Sequence, residues 1–431
     1  AQLFHYKYFK KLIQPTGYIY TTPHWPRAPA TFFNYRMTLR QRYITLILAL
    51  ICATVSHALH AEATPSVPDS IEALAAEKPR KLNLMQRVIK YFDESNKTKP
   101  GKRFDFTFVG GPNYDEATSL QLAVMGSGLY YSRMDSLTPV SNVTLFVQGS
   151  LSGFYRVGIS GEHYGPSDKF RILYCGDFAH FPLKFWGLGY ANASHDNNES
   201  KYTELRTALW ADMQWRIGKA LFVGPSVNFD FTKATKVERP ELWQGQDLSV
   251  FDYGIGLGFS LSLDTRDYST NASKGENLKL KQFFYPKFIK NRYSFSSTEL
   301  TFGIYRRIWS SAVIAAQVHA MATYGNTPWS MLPTVDATNA VRGYFEGRYR
   351  DKNEADLVVE LRQHVWQRIG VVVWGGAATV FRHFSDVRLN SLLPTYGIGG
   401  RFEFKKKVNM RVDLGFGKRS MSVSLGMNET F

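Results

Sequence analysis

Cysteine is nearly absent from this chain, with two in 431 residues. Cys52 falls in a stretch read below as removable, which leaves Cys175 alone, so no internal disulfide is expected. A long apolar run is also missing. A spanning helix needs roughly 20 predominantly apolar residues, and the run within 43–55 is shorter. Catalytic signatures are missing too. The ten histidines show no metal-ligand spacing, and there is no His-Glu-x-x-His and no Gly-x-Ser-x-Gly elbow. The expectation is a protein that is not an enzyme and holds no cofactor and no metal. Acidic residues are in deficit, with 36 Asp and Glu against 52 Lys and Arg, a net charge of +16. Such a balance suits nucleic acid or an anionic membrane surface. The basic residues are spread along the chain without a stripe or a nucleic-acid module, which argues against nucleic acid as a partner.

What the chain does have is aromatic residues (15%) and 34 glycines, with 44% hydrophobic residues overall and a mean hydropathy of −0.25. That composition suits a β-rich protein with many turns. A targeting segment is legible at 37–63, "MTLRQRYITLILALICATVSHALHAEA": Arg40 and Arg42, a short apolar run, then small residues. This is the pattern of a secretory signal peptide. Residues 1–36, ahead of Met37, read as upstream translation. Residues 64–103 read as a short helical and linker segment, with Asp69 and Glu72 placed for a capping box and Leu84, Met85, Val88, Ile89 and Phe92 at helical spacing.

From Phe104 onward the period changes to two. "DYGIGLGFSLSLDTR" puts Ile255, Leu257, Phe259, Leu261 and Leu263 on one face, with glycines, serines and Asp264 on the other. "VNMRVDLGFG" puts Val408, Met410, Val412, Leu414 and Phe416 together, opposite Asn409, Arg411, Asp413 and Gly415. "DLVVELRQHV" sets Leu357, Val359, Leu361 and Val365 against Glu360, Arg362 and His364. About sixteen such segments recur over 104–431, among them 104–110, 168–176 and a terminal one at 420–431. A sandwich also alternates. Segments of this length, with polar turns and wet-looking polar faces, instead predict an all-β fold: a transmembrane antiparallel barrel of about sixteen strands, localised to a Gram-negative outer membrane and contacting its lipid. Aromatics near segment ends (Tyr130, Tyr131, Phe283, Phe284, Tyr285, Tyr305, Trp309) fit interfacial girdles. "GIGLGF" holds the glycines of a nucleotide pattern but sits inside a strand and reads as barrel wall.

Between two of these strands stands "AVRGYFEGRYRDKNEADLVVELR". Its Val341, Arg342, Gly343 and Tyr344, with Glu346 and Gly347 following, resemble the loop motif of the BamA/TamA outer-membrane family of surface-antigen barrels. "DTRDYSTNASKGENL" is similar to that family's hairpin motif through Asp264, Thr265, Arg266, Asp267 and the downstream Gly275. The likeness covers roughly 104–431 and looks like the short members that lack POTRA repeats. It implies that the loop folds back into the lumen and that Arg342 meets acids on the wall. Glu360 is the first choice of partner and Asp413 the second. One departure bears on this. The family often carries an acid in the strand that here reads "VVVWGGAATVF", where this chain has Gly375, Gly376 and Ala377. The closing Phe431 resembles the C-terminal signal by which such barrels are recognised for assembly. The function implied is insertion of client outer-membrane proteins or translocation of substrates, helped by a weak seam between 104–110 and 420–431. The alternatives are a passive porin-like channel and, less favoured, a barrel-borne surface enzyme.

Overall fold

The computed structural model describes residues 104–431 except 116–118, 134–137, 244–250, 336–339 and 406–407. The upstream, signal and linker segments read at 1–36, 37–63 and 64–103 lie outside the described residues. Sixteen antiparallel strands form one sheet in which each strand pairs with its neighbours in sequence. They are β1 (Phe104–Asp115), β2 (Ser119–Tyr130), β3 (Ser141–Ser150), β4 (Tyr155–Tyr164), β5 (Phe170–Phe185), β6 (Ser200–Arg216), β7 (Leu221–Thr235) and β8 (Asp252–Asp264), followed by β9 (Gly275–Tyr285), β10 (Phe295–Trp309) and β11 (Ala312–Gly325). A long loop follows, carrying its own two-residue pair, β12 (Thr334–Val335) and β13 (Tyr349–Arg350). The sheet resumes with β14 (Asn353–Trp366), β15 (Ile369–Phe381), β16 (Leu393–Lys405), β17 (Val408–Gly417) and β18 (Ser420–Met427). Two-residue turns at 310–311 and 367–368 mark one end of the sheet; 186–199 and 326–352 connect strands at the other.

The two faces of the strands are inverted relative to a soluble protein. Leu257 and Phe259 on β8, Leu357 on β14 and Val423 and Leu425 on β18 are exposed. Residues of the opposite parity are polar and buried, such as Ser260 and Ser262 on β8, Asp356 and Glu360 on β14, and Asp413 on β17. Water would not favour this arrangement. Hydrocarbon on the outside and a polar interior do favour it.

Loop contacts show that the sheet curls into a barrel. The short helix Gly189–Ala193, which starts four residues beyond the end of β5, packs against β15. In strand order β15 stands eight places from β5. At about 4.8 Å per strand a flat sheet would separate them by roughly 38 Å. A four-residue step spans at most about 14 Å. The sheet therefore wraps round on itself. Among the described residues no ladder joins β1 to β18, the two edge strands of the sheet.

Four expectations are corrected. β1 is not cut short at Gly110; it runs unbroken to Asp115 in register with β2, because Gly110 lies close against the Ala123 carbonyl and keeps the ladder. β5 extends well past 176, to Phe185, since pairing with β6 continues through Pro182 to Phe185 opposite Ser200. The last strand ends at Met427, not at Phe431. The chain leaves the ladder at Asn428, whose φ of 64° is a left-handed conformation that Asn tolerates. Of the girdle aromatics, Tyr131, Phe284 and Trp309 are exposed, but Phe283, Tyr285 and Tyr305 are buried. Their positions along the strands share parity with lumen residues such as Ser297 and Gly303, and the pleat decides the side they take.

Candidate functional site

The loop between β11 and β14 fills the lumen, and two kinds of packing hold it there. The first is apolar. Val335, Ala340, Val341, Tyr344 and Tyr349 bury themselves against Val358 on β14, Val372, Trp374, Ala378 and Val380 on β15, Leu393 on β16, and Trp186 and Ala193 from the β5–β6 connection. Arg348 donates from Nε to the Ala193 carbonyl at 3.0 Å, and Arg350 donates to the Trp329 carbonyl at 3.0 Å. Trp329 in turn packs among Phe185, Tyr202 and Trp243.

The second kind is ionic and centres on Arg342, which is 1% exposed. One guanidinium nitrogen donates to Glu360 Oε1 at 2.5 Å. The other donates to Asp413 Oδ2 at 3.1 Å and to Thr430 Oγ1 at 3.1 Å. The guanidinium carbon sits 3.6 Å from the centroid of the Trp374 ring. A planar cation stacked on indole and forked between two carboxylates is an arrangement that Arg can make and Lys cannot. Both expected partners are engaged, so the wall keeps an Arg–Asp pair without an acid at Gly375, Gly376 or Ala377. On that strand Trp374 provides an aromatic face instead.

Neither acid serves Arg342 alone. Glu360 also accepts from Arg362 Nε at 2.9 Å, and Asp413 from Arg401 at 2.5 Å. Arg401 and Asn409 hold Glu429 at 2.8 and 2.6 Å, Arg362 donates to the Phe431 carbonyl at 2.8 Å, and Arg411 donates to Thr430 Oγ1. Residues 428–431 are thus drawn inward as part of the lock. Phe431 packs beside Tyr305 and the Arg362 guanidinium. Its assembly-signal role was inferred from a strand that closes on an aromatic; the observed strand closes four residues earlier.

Glycine makes the close docking of the loop possible. Gly343 has φ of +105°, and a Cβ there would stand 2.5 Å from the Phe416 carbonyl carbon on β17. Its N–H donates to Ser422 Oγ at 2.9 Å, and the Arg342 carbonyl accepts from Thr395 Oγ1 at 2.6 Å. Across from it, Gly415 leaves room for the Arg342 backbone. Tyr344 donates to the Pro394 carbonyl at 2.7 Å and accepts from the Lys418 N–H at 2.9 Å. Burial pushes its phenol up, so it works as a neutral donor. Gly347 also takes a positive φ, 75°. Glu346, at the loop's exposed edge, makes a long contact of 3.8 Å to Arg156 on β4. Gly343→Ala is expected to cost about 1–3 kcal/mol through backbone strain and the clash with β17. Denaturant unfolding in detergent checks this; a midpoint equal to wild type would remove Gly343 from the docking argument.

The hairpin motif forms a rigid turn between β8 and β9. Arg266 forks onto its own Asp264, with Nε–Oδ1 at 3.0 Å and Nη2–Oδ2 at 2.9 Å. Thr265 Oγ1 accepts from the Glu276 N–H at 2.8 Å, and Asp267 accepts from the Ser273 N–H at 2.8 Å. Gly275 has φ of +103°, and a Cβ there would lie 2.3 Å from the Thr265 carbonyl. The hairpin also reaches the lock, because the Glu429 N–H donates to the Thr270 carbonyl at 3.2 Å. The two sequence motifs are therefore joined through 428–431.

Sequence reading missed Trp374, Thr395, Arg401, Ser422, Glu429 and Thr430. The last two carried no strand-parity signal, since they lie beyond the ladder.

No family model and no curated protein matches the chain. Solved structures with similar chain paths include BamA from Haemophilus ducreyi lacking POTRA domains 1–3 (10% identity, TM-score 0.48, 75% of this chain and 69% of that one). CdiB from Escherichia coli (11%, 0.49, 76% and 62%) and CdiB from Acinetobacter baumannii (9%, 0.47, 76% and 60%) are others.

Proposed function

We propose that this chain is an outer-membrane barrel of the BamA/TamA type that assists insertion of other barrel proteins or moves substrates across the outer membrane. The observation that carries the proposal is the lock. A loop with the Val-Arg-Gly-Tyr motif folds into the lumen, and its arginine is held by two wall carboxylates. The apolar outer face supports outer-membrane lipid as the surrounding medium. The unladdered edges of β1 and β18 support a lateral opening at which client strands would pair, because unpaired edge groups template further strands. The proposed action uses no nucleotide and no catalytic residue. A passive channel of the same architecture fits less well, because the loop occupies the bore.

Depletion of the protein in its native host, followed by quantitative outer-membrane proteomics, tests the proposal. Other barrel proteins, or one secreted substrate class, should fall in abundance. If every barrel protein and every surface-exported protein stays at its normal level, assembly and translocation are both excluded.

A further inference from the structure

Away from the lock, the lumen wall brings together a second set of side chains. His319 on β11 stands directly opposite Asp356 on β14. Met321, two residues along and on the same face, is paired with Glu354 on one side and Glu299 on β10 on the other. Strand parity therefore points one histidine and three carboxylates into the same patch. Candidate ligand atoms of His319, Glu354 and Asp356 all lie within 4.8 Å of one another. His319 Nδ1 is 2.9 Å from Glu354 Oε2 and 3.5 Å from Asp356 Oδ2. On the other side of the ring, Nε2 is 3.5 Å from Glu299 Oε1.

We propose that His319 Nδ1, Glu354 and Asp356 form a binding site for one divalent transition cation, with Glu299 orienting the imidazole. The division of roles follows from the ring. A neutral imidazole offers one lone pair, and here Nδ1 faces the two carboxylates. The N–H at Nε2 then faces Glu299, which fixes tautomer and orientation as outer carboxylates do for metal-bound histidines. The spacing suits such an ion. Metal–ligand bonds of about 2.0–2.2 Å set ligand atoms roughly 3.4 Å apart around a tetrahedral centre.

Independent support comes from Glu354. It is 1% exposed, and its Oε1 has no hydrogen-bond partner among the described residues. Its other oxygen meets His319, the only base within ion-pair distance of it among the described residues. Buried carboxylates persist when paired or bound to metal, and the free oxygen of Glu354 gives such an ion a further ligand atom. One nitrogen and two or more carboxylate oxygens favour zinc, manganese or iron(II) over calcium and magnesium. Histidine spacing gave no hint of this site because the ligands are spread over two strands with a loop between them. The site lies near the feet of that loop: Glu354 is the second residue of β14, and His319 is six residues before the end of β11. A bound ion would tie those feet together. The inference stands whether or not the assembly reading holds.

Untagged full-length protein, purified in detergent and stripped with chelator, is titrated with zinc chloride by calorimetry. One ion per chain is expected, with affinity reduced about tenfold or more in His319→Ala and in Glu354→Gln. The wild-type unfolding temperature should rise with zinc and not with calcium. Should either variant fail to fold, cobalt(II) bound to the wild type gives an independent readout through its visible absorption bands. Sub-stoichiometric zinc binding, affinity unchanged in both variants, or no cobalt spectrum would overturn the site and leave His319 as an ordinary bridging base.

Discussion

Arg342→Ala is expected to lower the stability of the barrel by about 3 kcal/mol, the low end of the cost of breaking a buried ion pair. The reason is an uneven loss. Glu360 and Asp413 are fully buried, and each has one oxygen facing Arg342. Removing the guanidinium takes the donor from Glu360 Oε1, leaves Asp413 Oδ2 with Arg411 at 3.8 Å, and uncovers the Trp374 face. The loss stays at the low end because Arg362 and Arg401 still hold the second oxygen of each acid. Arg342→Lys should recover less than half, since an ammonium can neither span both acids nor stack as a plane. Glu346→Ala should fall within about 0.5 kcal/mol of wild type, as expected for an exposed change away from buried features. Denaturant unfolding in detergent measures all three, and limited proteolysis within 336–352 reports whether the loop is released. An Arg342→Ala protein as stable as wild type, with its loop still protected, would mean that apolar packing alone holds the loop.

Much of this architecture could be read from the sequence, for a definable reason. Period-two alternation survives wherever one strand face is apolar and the other polar, so the count of sixteen strands, the outward leucines of β8 and β14 and the inward set of Glu360, Arg362 and Asp413 all followed from parity. Parity also limited Arg342 to acids on lumen positions, and both candidates proved to be partners. What parity cannot report is where a strand stops. The segments read at 104–110 and 168–176 stop short, because pairing to the neighbouring strand carries the ladder through Gly110 and through Pro182. Asn428 looked like one more strand residue, yet it turns the chain inward and delivers Glu429 and Thr430 to the lock. The departure at Gly375–Ala377 pointed to a weaker lock because it considered acids alone. The arginine also needs a face to stack on, and Trp374, one position earlier, provides it.

Removing the loop should have the largest effect on permeability. In a chain where 327–351 are replaced by a two-residue turn, planar-bilayer conductance is expected to rise by roughly an order of magnitude or more, because a sixteen-strand cylinder is wide enough to hold an aqueous channel once emptied. The geometry allows the replacement: Ala322 on β11 already pairs with Asn353 on β14 and the Thr323 N–H donates to the Lys352 carbonyl, so 324–326 and the two inserted residues make a five-residue hairpin loop. The filling that would be lost is extensive. Val335, Val341, Tyr344 and Tyr349 leave the core cluster, and Arg342 and Arg348 leave partners on β14, β17 and the β5–β6 connection. Arg342→Ala should open the bore far less, since the apolar contacts of the loop remain. These outcomes separate the two readings of function. A passive channel would conduct strongly before the deletion and change little after it. A barrel kept shut while it handles clients at its seam would be nearly silent with the loop in place and conduct only without it. Retention of heat-resistant mobility on gels would show that the deleted barrel had folded, so that a silent deletion variant would count against a loop-plugged bore.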